Sequence, residues 1–222
     1  MSETMVVVGG GVSGLAAACR LAGEGHRPIL FERARRLGGR ASSFRDPVSG
    51  EDVDYGQHVS MRCCTATDGF LRRIGASEAV RYQPELSVPI LCGRTRVDLR
   101  SNLLLPGPFH LLPALLHDRC LSRRERLGVL QAMAALQWPV RTDRPFGSWL
   151  RRRGQSDRAI ARLWDPICTA TLNAPVDRVG LRAARKVVLE GFLRRDGAGL
   201  GLFVWPLGRV FESARGYIEA RG

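Results

Sequence analysis

The stretch that decides the fold is Met5–Gly14, MVVVGGGVSG. Its apolar run Met5–Val8 predicts a short buried strand of a parallel sheet, because such strands are covered on both faces. Three glycines follow, and the periodic residues Ser13–Glu24 predict a helix that Gly25 ends. A second apolar run, Pro28–Phe31, predicts the next strand. The order strand, glycine loop, helix and strand is that of a βαβ unit.

The glycines have the spacing G-x-G-x-x-G, at Gly9, Gly11 and Gly14. In a βαβ unit these glycines permit a tight turn, a close backbone approach to a pyrophosphate, and close packing of helix on strand. The positive end of the helix that begins at Ser13 then favours phosphate groups. Glu32 closes the second strand, where a carboxylate accepts hydrogen bonds from ribose hydroxyls. The pattern predicts a dinucleotide site, and the alternative is a glycine-rich turn with a solvated Glu32.

A second glycine pair, Gly38 and Gly39, follows the βαβ unit and is itself followed by Arg40. Such a segment suits a backbone that crosses the pyrophosphate, with the guanidinium as partner of its charge. This feature favours FAD over NAD as the cofactor. The alternative interpretation is an ordinary surface turn that carries an arginine.

The remaining sequence predicts a loop over 33–54, a short helix over 67–74 and a hairpin over 88–99 that turns at Gly93 and Arg94. Its character changes after Arg100, where leucine-rich segments are punctuated by proline. Helices are predicted around 109–117, 122–138, 146–153, 156–164 and 181–194, then a strand over 200–205 and a final helix over 208–220.

We therefore predict an α/β fold with a Rossmann-like dinucleotide-binding domain and an inserted helical region. Residues 1–100 are assigned to the βαβ unit and a small β region, residues 101–205 to the helical region, and residues 206–222 to a helix that leads back toward the first domain. A βαβ unit alone cannot cover both faces of a doubly wound sheet. Few candidate strands remain to complete that sheet, so the fold is expected to be incomplete at its carboxyl-terminal end.

The net charge of +13 raises the question of a nucleic-acid or anionic-membrane partner. Lys186 is the only lysine, and the arginines are scattered along the chain. This pattern favours solvated helix faces over a nucleic-acid footprint. We therefore predict no nucleic-acid partner.

The 6 cysteines include no C-x-x-C pair, so neither a metal site nor a disulfide framework is predicted. Free thiols are typical of a reducing compartment. The amino terminus has no secretory signal pattern, and the sequence has no apolar run of about 18 residues. We expect a cytoplasmic protein, with peripheral contact to the inner face of the membrane as an open alternative.

Longer blocks of the sequence resemble known proteins. The block Gly9–Phe44, GGGVSGLAAACRLAGEGHRPILFERARRLGGRASSF, resembles the amino-terminal flavin segment of the amine oxidase and phytoene desaturase superfamily. Four later blocks resemble the squalene-associated FAD-dependent desaturase family, whose members are hydroxysqualene dehydroxylases of bacterial hopanoid synthesis. These blocks are DYGQH (54–58), FLRRIGA (70–76), PGPFHLLPALL (106–116) and FGSWLRRRGQSDRAIARLWDPICTATLNAP (146–175).

This resemblance implies an FAD-dependent oxidoreductase in which reduced flavin removes the hydroxyl of hydroxysqualene and leaves squalene. The cofactor supplies the chemistry, and the protein positions and desolvates it. A carotenoid or phytoene desaturase, which takes hydride from a polyene precursor, and an amine oxidase-like flavoenzyme are the alternatives. The resemblance also implies that four residues contact FAD, namely Ser13, Gly14, Glu32 and Arg40. It further implies that Gly56 and Gln57 lie beside the flavin ring.

Two residues are candidates for the proton donor of that reaction. His58 follows the segment implied to lie by the flavin, and histidine titrates near neutral pH. Asp165 lies in an apolar stretch that would favour a protonated carboxyl. The alternatives are that His58 only holds a loop and that Asp165, before Pro166, only caps a helix.

The segment 103–121 is crowded with leucine and is followed by arginines. One interpretation is an interfacial helix that gives access to a hydrocarbon substrate in an anionic membrane. The other is a core helix that lines a substrate tunnel from within.

Proteins of this superfamily complete their flavin domain with segments from their carboxyl-terminal half, and no second glycine-rich segment follows the helical block. One hypothesis is an enzyme part completed by a complementary half. The other is a non-catalytic fragment that binds a partner or forms a homo-oligomer through an exposed sheet edge and apolar face. In both cases the isolated chain is expected to retain FAD weakly.

Overall fold

The structure, a computed structural model, describes residues 2–221 except for the side chain of Cys92. These residues form two compact units. The first comprises the described residues up to Ser60, Cys64–Tyr82 and those from Gly201 onward, and the second comprises Met61–Cys63 and Gln83–Leu200. The units place residues 83–100 with the helical region and residues 201–205 with the first unit. The three-part division made from the sequence stays a prediction.

The first unit begins with the predicted βαβ arrangement, which is confirmed. Strand β1 (Thr4–Val8), helix α1 (Val12–Gly23) and strand β2 (Arg27–Phe31) follow one another, and the two strands pair in parallel. The pairing sets Val6 beside Ile29. Helix α1 ends before Gly25, whose φ of +86° is a left-handed conformation that favours glycine.

One face of the β1–β2 pair is exposed and apolar. Val6, Val8, Ile29 and Phe31 alternate along the two strands in matching register, so they share this face. All four are exposed, and Val8 retains 84% of its accessible surface. The described residues therefore leave this face of a parallel sheet uncovered, although such sheets are normally buried on both faces.

Residues 33–54 are not only a loop, as the sequence predicted. Strands β3 (Ser43–Arg45) and β4 (Asp52–Asp54) form a short antiparallel hairpin inside this segment. The Asp46 carboxylate closes the turn between them by accepting the Ser49 N–H at 2.8 Å. The strands were missed because they are short and polar, which leaves no hydrophobic alternation to detect.

The first unit is completed by five further elements. They are strand β5 (Val59–Met61), helix α2 (Thr65–Arg73), strand β6 (Val80–Tyr82) and, near the end of the chain, strand β9 (Leu200–Phe203) with helix α9 (Leu207–Glu219). The strands form one sheet in the order β5-β9-β6. Its core joins α1, α2 and α9 through buried side chains such as Leu15, Phe70, Leu71, Val210 and Phe211.

The second unit contains the predicted hairpin and a helical block. The hairpin is β7 (Ser87–Cys92) with β8 (Thr95–Arg100), paired in antiparallel register. Its helices are α3 (Leu112–His117), α4 (Arg123–Leu136), α5 (Phe146–Arg152), α6 (Asp157–Ala159), α7 (Asp165–Leu172) and α8 (Leu181–Val187). A 3₁₀ turn (Phe109–Leu111) leads into α3, and π-helical turns follow α6 (Ile160–Trp164) and α8 (Val188–Leu193).

Helix α7 is the element of this block that the sequence did not predict. The predicted helix over 156–164 ends just before Pro166, and the residue before a proline is biased away from the helical conformation. Here the proline occupies the first turn of α7, where its missing N–H is not needed. The core packs Phe146 edge-on against Trp164, with ring centroids 5.6 Å apart. The Trp164 indole N–H donates to Gln155 Oε1 at 3.0 Å, so this buried polar group is satisfied.

Within residues 2–221, none of the helices combines the length and the hydrophobicity that crossing a lipid bilayer requires.

Candidate functional site

The loop after β1 is fixed by backbone contacts that require glycine. Gly9 has a φ of +101°, and its N–H donates to the Phe31 carbonyl at 2.7 Å. A Cβ atom on Gly14 would lie 1.9 Å from the Gly9 carbonyl oxygen. The first and last glycines of the motif therefore hold helix α1 against the strand, as the spacing predicted.

Gly11 has a different role from its neighbours in the motif. It precedes α1 in an extended conformation with φ −71° and ψ 174°, which other residues also adopt. A Cβ atom there would meet nothing within 4 Å. Gly11 has no side chain to cap the helix, and the first N–H groups of an α-helix have no acceptor within the helix itself. This arrangement suits a bound phosphate.

Glu32 supports the glycine loop from the end of β2. Its carboxylate accepts the Gly10 N–H at 2.6 Å and the Ala34 N–H at 2.7 Å. These backbone hydrogen bonds lower the pKa of Glu32 and keep the carboxylate ionised at neutral pH, and the bond from Ala34 has the largest effect. A Cβ on Gly10 would lie 2.8 Å from Leu37 Cδ2 and 3.0 Å from Glu32 Cβ. Gly10 was not predicted as a site residue, although the uninterrupted run of three glycines was a signal for it.

The second glycine pair lies directly on the first loop. Gly38 and Gly39 have φ values of +97° and +61°. The Gly38 N–H donates to the Gly10 carbonyl at 2.8 Å, and a Cβ on Gly39 would lie 3.2 Å from Gly11 Cα. The two glycine segments are thus joined by backbone contacts, which an isolated surface turn would not require.

These segments enclose one cavity of about 680 Å³ in the first unit. It brings together eight predicted site residues, and Val12 and Ala41, which the sequence did not single out, complete its lining. The predicted ones are Gly9, Gly11, Ser13, Gly14, Gly38, Gly39, Arg40 and His58. Glu32 supports the cavity indirectly through Gly10. Gly56 and Gln57 are exposed and are not among the residues that line it.

The two candidate proton donors have different surroundings. His58 lines the cavity of the first unit, and its Nδ1 lies 2.7 Å from the Gly56 carbonyl oxygen. Asp165 belongs to the second unit, where its Oδ1 accepts the Val176 N–H at 2.8 Å. That bond ties the start of α7 to a following loop, and the catalytic role of either residue stays a prediction.

The sequence of the first unit matches a known family model. Residues 7–72 match the NAD(P)-binding Rossmann-like domain, and this part of the chain is therefore a dinucleotide-binding domain. Relatives extend the comparison to most of the chain. It is 24% identical, over 98% of its length, to the probable zeta-carotene desaturase of Synechococcus elongatus. It is 25% identical, over 97% of its length, to the hydroxysqualene dehydroxylase of Zymomonas mobilis.

Over most of its length the chain is thus similar to a carotenoid desaturase and to a hydroxysqualene dehydroxylase. A solved oxidoreductase of Methanosarcina mazei has the same fold, with a TM-score of 0.69 at 21% identity over 99% of this chain. The chain spans about half the length of the proteins it matches, 48% and 51% of the two relatives and 50% of the solved structure.

Proposed function

We propose that this chain binds the ADP portion of FAD and forms the cofactor-binding part of an oxidoreductase that acts on a hydrophobic isoprenoid. The favoured reaction is reductive dehydroxylation of hydroxysqualene to squalene. The observation that carries the cofactor proposal is the contact between the two glycine segments, Gly38-Gly39 on Gly11. The substrate proposal rests on the hydroxysqualene dehydroxylase of Zymomonas mobilis among the relatives.

The residues of the cavity fit a pyrophosphate. Open space at Gly11 lets the backbone approach the phosphates, and the uncapped N–H groups of α1 supply donors. Arg40 lines the same cavity and supplies positive charge. Each Glu32 oxygen already accepts one backbone N–H and retains a further lone pair for a ribose hydroxyl. FAD, when bound, would supply hydride-transfer chemistry that no amino-acid side chain offers.

His58 is the candidate proton donor that lines the proposed cofactor cavity. If Nδ1 donates to the Gly56 carbonyl, the neutral ring carries no proton on Nε2. His58 can then give a proton through Nε2 only as the imidazolium ion. Asp165 Oδ1 is engaged by a backbone N–H, so a donated proton would have to come from Oδ2.

An apolar cavity in the second unit supports a hydrophobic substrate. It has a volume of about 510 Å³ and lies between α3 and α4, lined by residues such as Leu111, Leu115, Leu130 and Met133. Some leucines of segment 103–121 support the tunnel interpretation, and others support the membrane interpretation. Leu111 and Leu115 are buried, which suits a tunnel wall.

Other residues of the same segment support a proposed peripheral membrane contact. Leu104 is 91% exposed, and Phe109 and Leu116 are also exposed. Vesicle flotation of the Leu104→Asp, Leu116→Asp double variant tests this contact, because both side chains are exposed and the fold should persist. Flotation equal to that of the unmodified chain would exclude the contact.

A carotenoid desaturase is the second candidate function. It is favoured by the zeta-carotene desaturases among the relatives, including that of Synechocystis at 21% identity over 98% of this chain. The two reactions move electrons in opposite directions, since dehydroxylation consumes reduced flavin and desaturation consumes oxidised flavin.

The test uses the full chain with FAD in excess. One arm offers hydroxysqualene with dithionite under anaerobic conditions, and the other offers zeta-carotene with oxidised FAD and a quinone acceptor. Gly11→Ala, which narrows the nucleotide cavity, is the matched control in both arms. We expect squalene in the first arm and no new polyene in the second, by chromatography. The reverse outcome favours the desaturase, and no product in either arm favours the non-catalytic fragment.

A further inference from the structure

An arginine-rich cavity of about 510 Å³ lies in the second unit, beside the apolar cavity between α3 and α4. Trp138 and Ala134 line both cavities, so the two share a wall. The arginine-rich cavity shares no residue with the proposed FAD site. Three arginines line it, namely Arg141, Arg144 and Arg153. Neither the sequence patterns nor the proposed function assigns a role to it.

The charge of this cavity is positive. The described residues that line it include no acidic side chain. Asp143 lies between two of the arginines in the chain, but its Oδ1 accepts the Arg182 N–H at 3.0 Å. On α5, Arg151 pairs with Asp157 at 3.1 Å and with Asp177 at 2.6 Å, so these carboxylates are engaged outside the cavity. Guanidinium groups that line one cavity without an acidic partner favour an anion.

The segment between α4 and α5 that carries Trp138 is held by two further arginines. Arg185 donates to the Leu136 carbonyl at 2.8 Å and to the Trp138 carbonyl at 3.2 Å. Arg182 donates to the Arg141 carbonyl at 3.3 Å. These hydrogen bonds hold the backbone of the segment and add two positive charges beside the cavity. A segment that is already held loses less conformational freedom when it binds a ligand.

Two arginines of the lining also have supporting contacts from side chains. The guanidinium carbon of Arg153 lies 4.5 Å from the centroid of the buried Trp149 ring. Arg144 Nη2 donates to Thr142 Oγ1 at 3.4 Å. Neither contact neutralises a charge, and each guanidinium group has five N–H donors, so donors remain for the oxygens of a phosphate.

Trp138 is the residue that favours a bilayer over a soluble anion. It lines both cavities and yet retains 75% of its accessible surface, so it lies at their openings. Phe109, which also lines the apolar cavity, is exposed as well. Tryptophan concentrates at membrane–water interfaces, and exposed aromatic residues beside arginines are typical of surfaces that bind anionic lipids. Arginine and tryptophan also suit single-stranded nucleic acid, but such a strand would not use the adjoining apolar cavity.

We propose that this surface docks the chain on an anionic bilayer, with a phospholipid phosphate in the arginine-rich cavity and Trp138 in the interface. Docking in this way presents the apolar cavity to the lipid from which a hydrocarbon substrate enters. The inference rests on the peripheral membrane contact of the proposed function. It adds a headgroup site and a second anchor to the contact made by Leu104 and Leu116.

Sedimentation with vesicles tests the headgroup site in the absence of FAD and substrate. Vesicles of phosphatidylglycerol with phosphatidylcholine are compared with vesicles of phosphatidylcholine alone, and we expect the unmodified chain to prefer the first. The Arg141→Gln, Arg144→Gln double variant should bind the anionic vesicles at least about tenfold more weakly, because two charges close to the surface are lost.

The matched control is the Arg94→Gln, Arg178→Gln double variant. It removes the same charge from two exposed positions of the second unit that line neither cavity. Its binding to the anionic vesicles should change by less than about threefold, because charges farther from the surface are screened by salt.

Bromine-labelled acyl chains test the position of Trp138, because they quench tryptophans that enter the bilayer. The chain has 4 tryptophans, of which Trp149 and Trp164 are buried. We expect quenching in the unmodified chain and its loss in Trp138→Phe, which keeps an aromatic ring at this position.

Four results would overturn the inference. They are absence of vesicle binding by the unmodified chain, equal binding of the two double variants, equal binding to both kinds of vesicle, and quenching that persists in Trp138→Phe. Binding of a single-stranded oligonucleotide through Arg141 and Arg144, without vesicle binding, would assign the surface to nucleic acid instead. If only the Leu104→Asp, Leu116→Asp variant loses flotation, the hydrophobic contact stands and the headgroup site falls. The proposed reaction is measured as product formation without vesicles, so its failure is distinguishable from failure of the docking.

Discussion

At the scale of single residues, Gly11 and Gly14 belong to the same motif, but Gly14 is tightly packed and Gly11 borders open space. Any side chain at Gly14 would collide with the Gly9 carbonyl, so this glycine is required for the fold of the loop. A side chain at Gly11 would meet no protein atom within 4 Å, so this glycine is required only if something else occupies the space. A substitution at Gly11 therefore tests ligand binding without disturbing the fold of the loop.

We predict that Gly11→Ala weakens ADP binding at least about tenfold, equivalent to about 1.4 kcal/mol, without lowering thermal stability. The reason is that its methyl group enters the cavity while its backbone conformation remains allowed. Isothermal titration measures the affinity, and calorimetry measures the midpoint of unfolding.

Gly216→Ala is the control for this prediction, since a Cβ there also meets nothing within 4 Å and Gly216 lies in α9. It should leave ADP binding unchanged. Equal ADP affinity for Gly11→Ala and the unmodified chain would contradict the assignment of the cavity.

The spacing of single residues singled out most of the residues that line the proposed nucleotide cavity. Gly9, Gly11, Gly14 and the Gly38-Gly39 pair were found because each meets a local requirement of a known loop. Gly10 was missed because its neighbours, Leu37 and the Glu32 side chain, come from a later part of the chain. A contact between distant segments leaves no periodic signal in a single sequence.

At the scale of elements, helix α9 starts without a cap of its own. Pro206 precedes it and has no side-chain acceptor. The hairpin β3–β4 supplies the missing acceptors. Asp54 Oδ1 accepts the Leu207 N–H at 3.0 Å, and Ser43 Oγ accepts the Gly208 N–H at 2.8 Å. The Ser43 hydroxyl in turn donates to Asp54 Oδ1 at 2.5 Å, which joins the two caps.

We predict that Asp54→Ala lowers the free energy of unfolding by about 1 to 2 kcal/mol, the usual effect of losing a helix cap. Asp54→Asn should cost less, because its amide oxygen can still accept the Leu207 N–H. Urea unfolding followed by circular dichroism measures both.

Asp52→Ala is the matched control from the same strand, since its ion pair with Arg45 is exposed and 3.7 Å long. Its effect should stay within about 0.5 kcal/mol. If Asp52→Ala and Asp54→Ala destabilise the chain equally, the cap is not what anchors α9.

A capping box at the start of α4 predicts an acid-dependent stability. Ser122 Oγ accepts the Glu125 N–H, and the Glu125 carboxylate accepts the Ser122 N–H at 2.8 Å and the Ser156 hydroxyl at 2.7 Å. These hydrogen bonds lower the pKa of Glu125 from 4.5 to about 2, and the bond from the Ser156 hydroxyl has the largest effect. Because the folded-state pKa is depressed, the carboxylate contributes its full stabilisation above about pH 4.5 and loses it as the pH falls to about 2.

Glu125→Gln tests this dependence, because glutamine keeps an acceptor for the Ser122 N–H but does not titrate. The stability difference between the unmodified chain and this variant should shrink steadily as the pH falls from 4.5 to 2. Urea unfolding at several pH values measures it. Glu51→Gln, at an exposed position, serves as control, and a constant difference for Glu125→Gln across that range would refute the prediction.

The sequence predicted elements well where local patterns decide them. The βαβ unit and the hairpin turning at Gly93 and Arg94 were found at nearly their observed bounds, because apolar runs and turn residues mark both. The hairpin β3–β4 was missed although it holds the start of α9. The hairpin accepts hydrogen bonds from Leu207 and Gly208, which lie far along the chain. Local sequence propensity cannot predict such distant partners.

At the scale of the whole molecule, the exposed face of the β1–β2 pair is the feature that most needs a partner. Val6, Val8, Ile29 and Phe31 form a contiguous apolar surface. Such surfaces promote association. We propose that a complementary polypeptide, or in its absence a second copy of the chain, covers this face.

The prediction is that the isolated chain self-associates with increasing concentration, and that the Val8→Ser, Phe31→Ser double variant does so less. Analytical ultracentrifugation measures the association. Val48→Ser is the control, because Val48 is 93% exposed in the turn between β3 and β4 and not on this face. Equal association of all three proteins would show that another surface is responsible.

The cavity also limits which part of the cofactor the chain can hold by itself. Its lining consists of the two glycine segments, the start of α1, Arg40 and His58, and these groups suit a pyrophosphate. Gly56 and Gln57, which the resemblance places beside the flavin ring, do not line it. The isolated chain should therefore recognise ADP and FAD through the same contacts.

We predict that the dissociation constants of ADP and FAD agree within about threefold, equivalent to about 0.6 kcal/mol, and that riboflavin shows no measurable binding. Isothermal titration of the three ligands measures this, with Gly11→Ala expected to weaken ADP and FAD alike. FAD binding about a hundredfold tighter than ADP binding would mean that the chain already contacts the isoalloxazine ring, and the cavity would then hold more of the cofactor than its lining indicates.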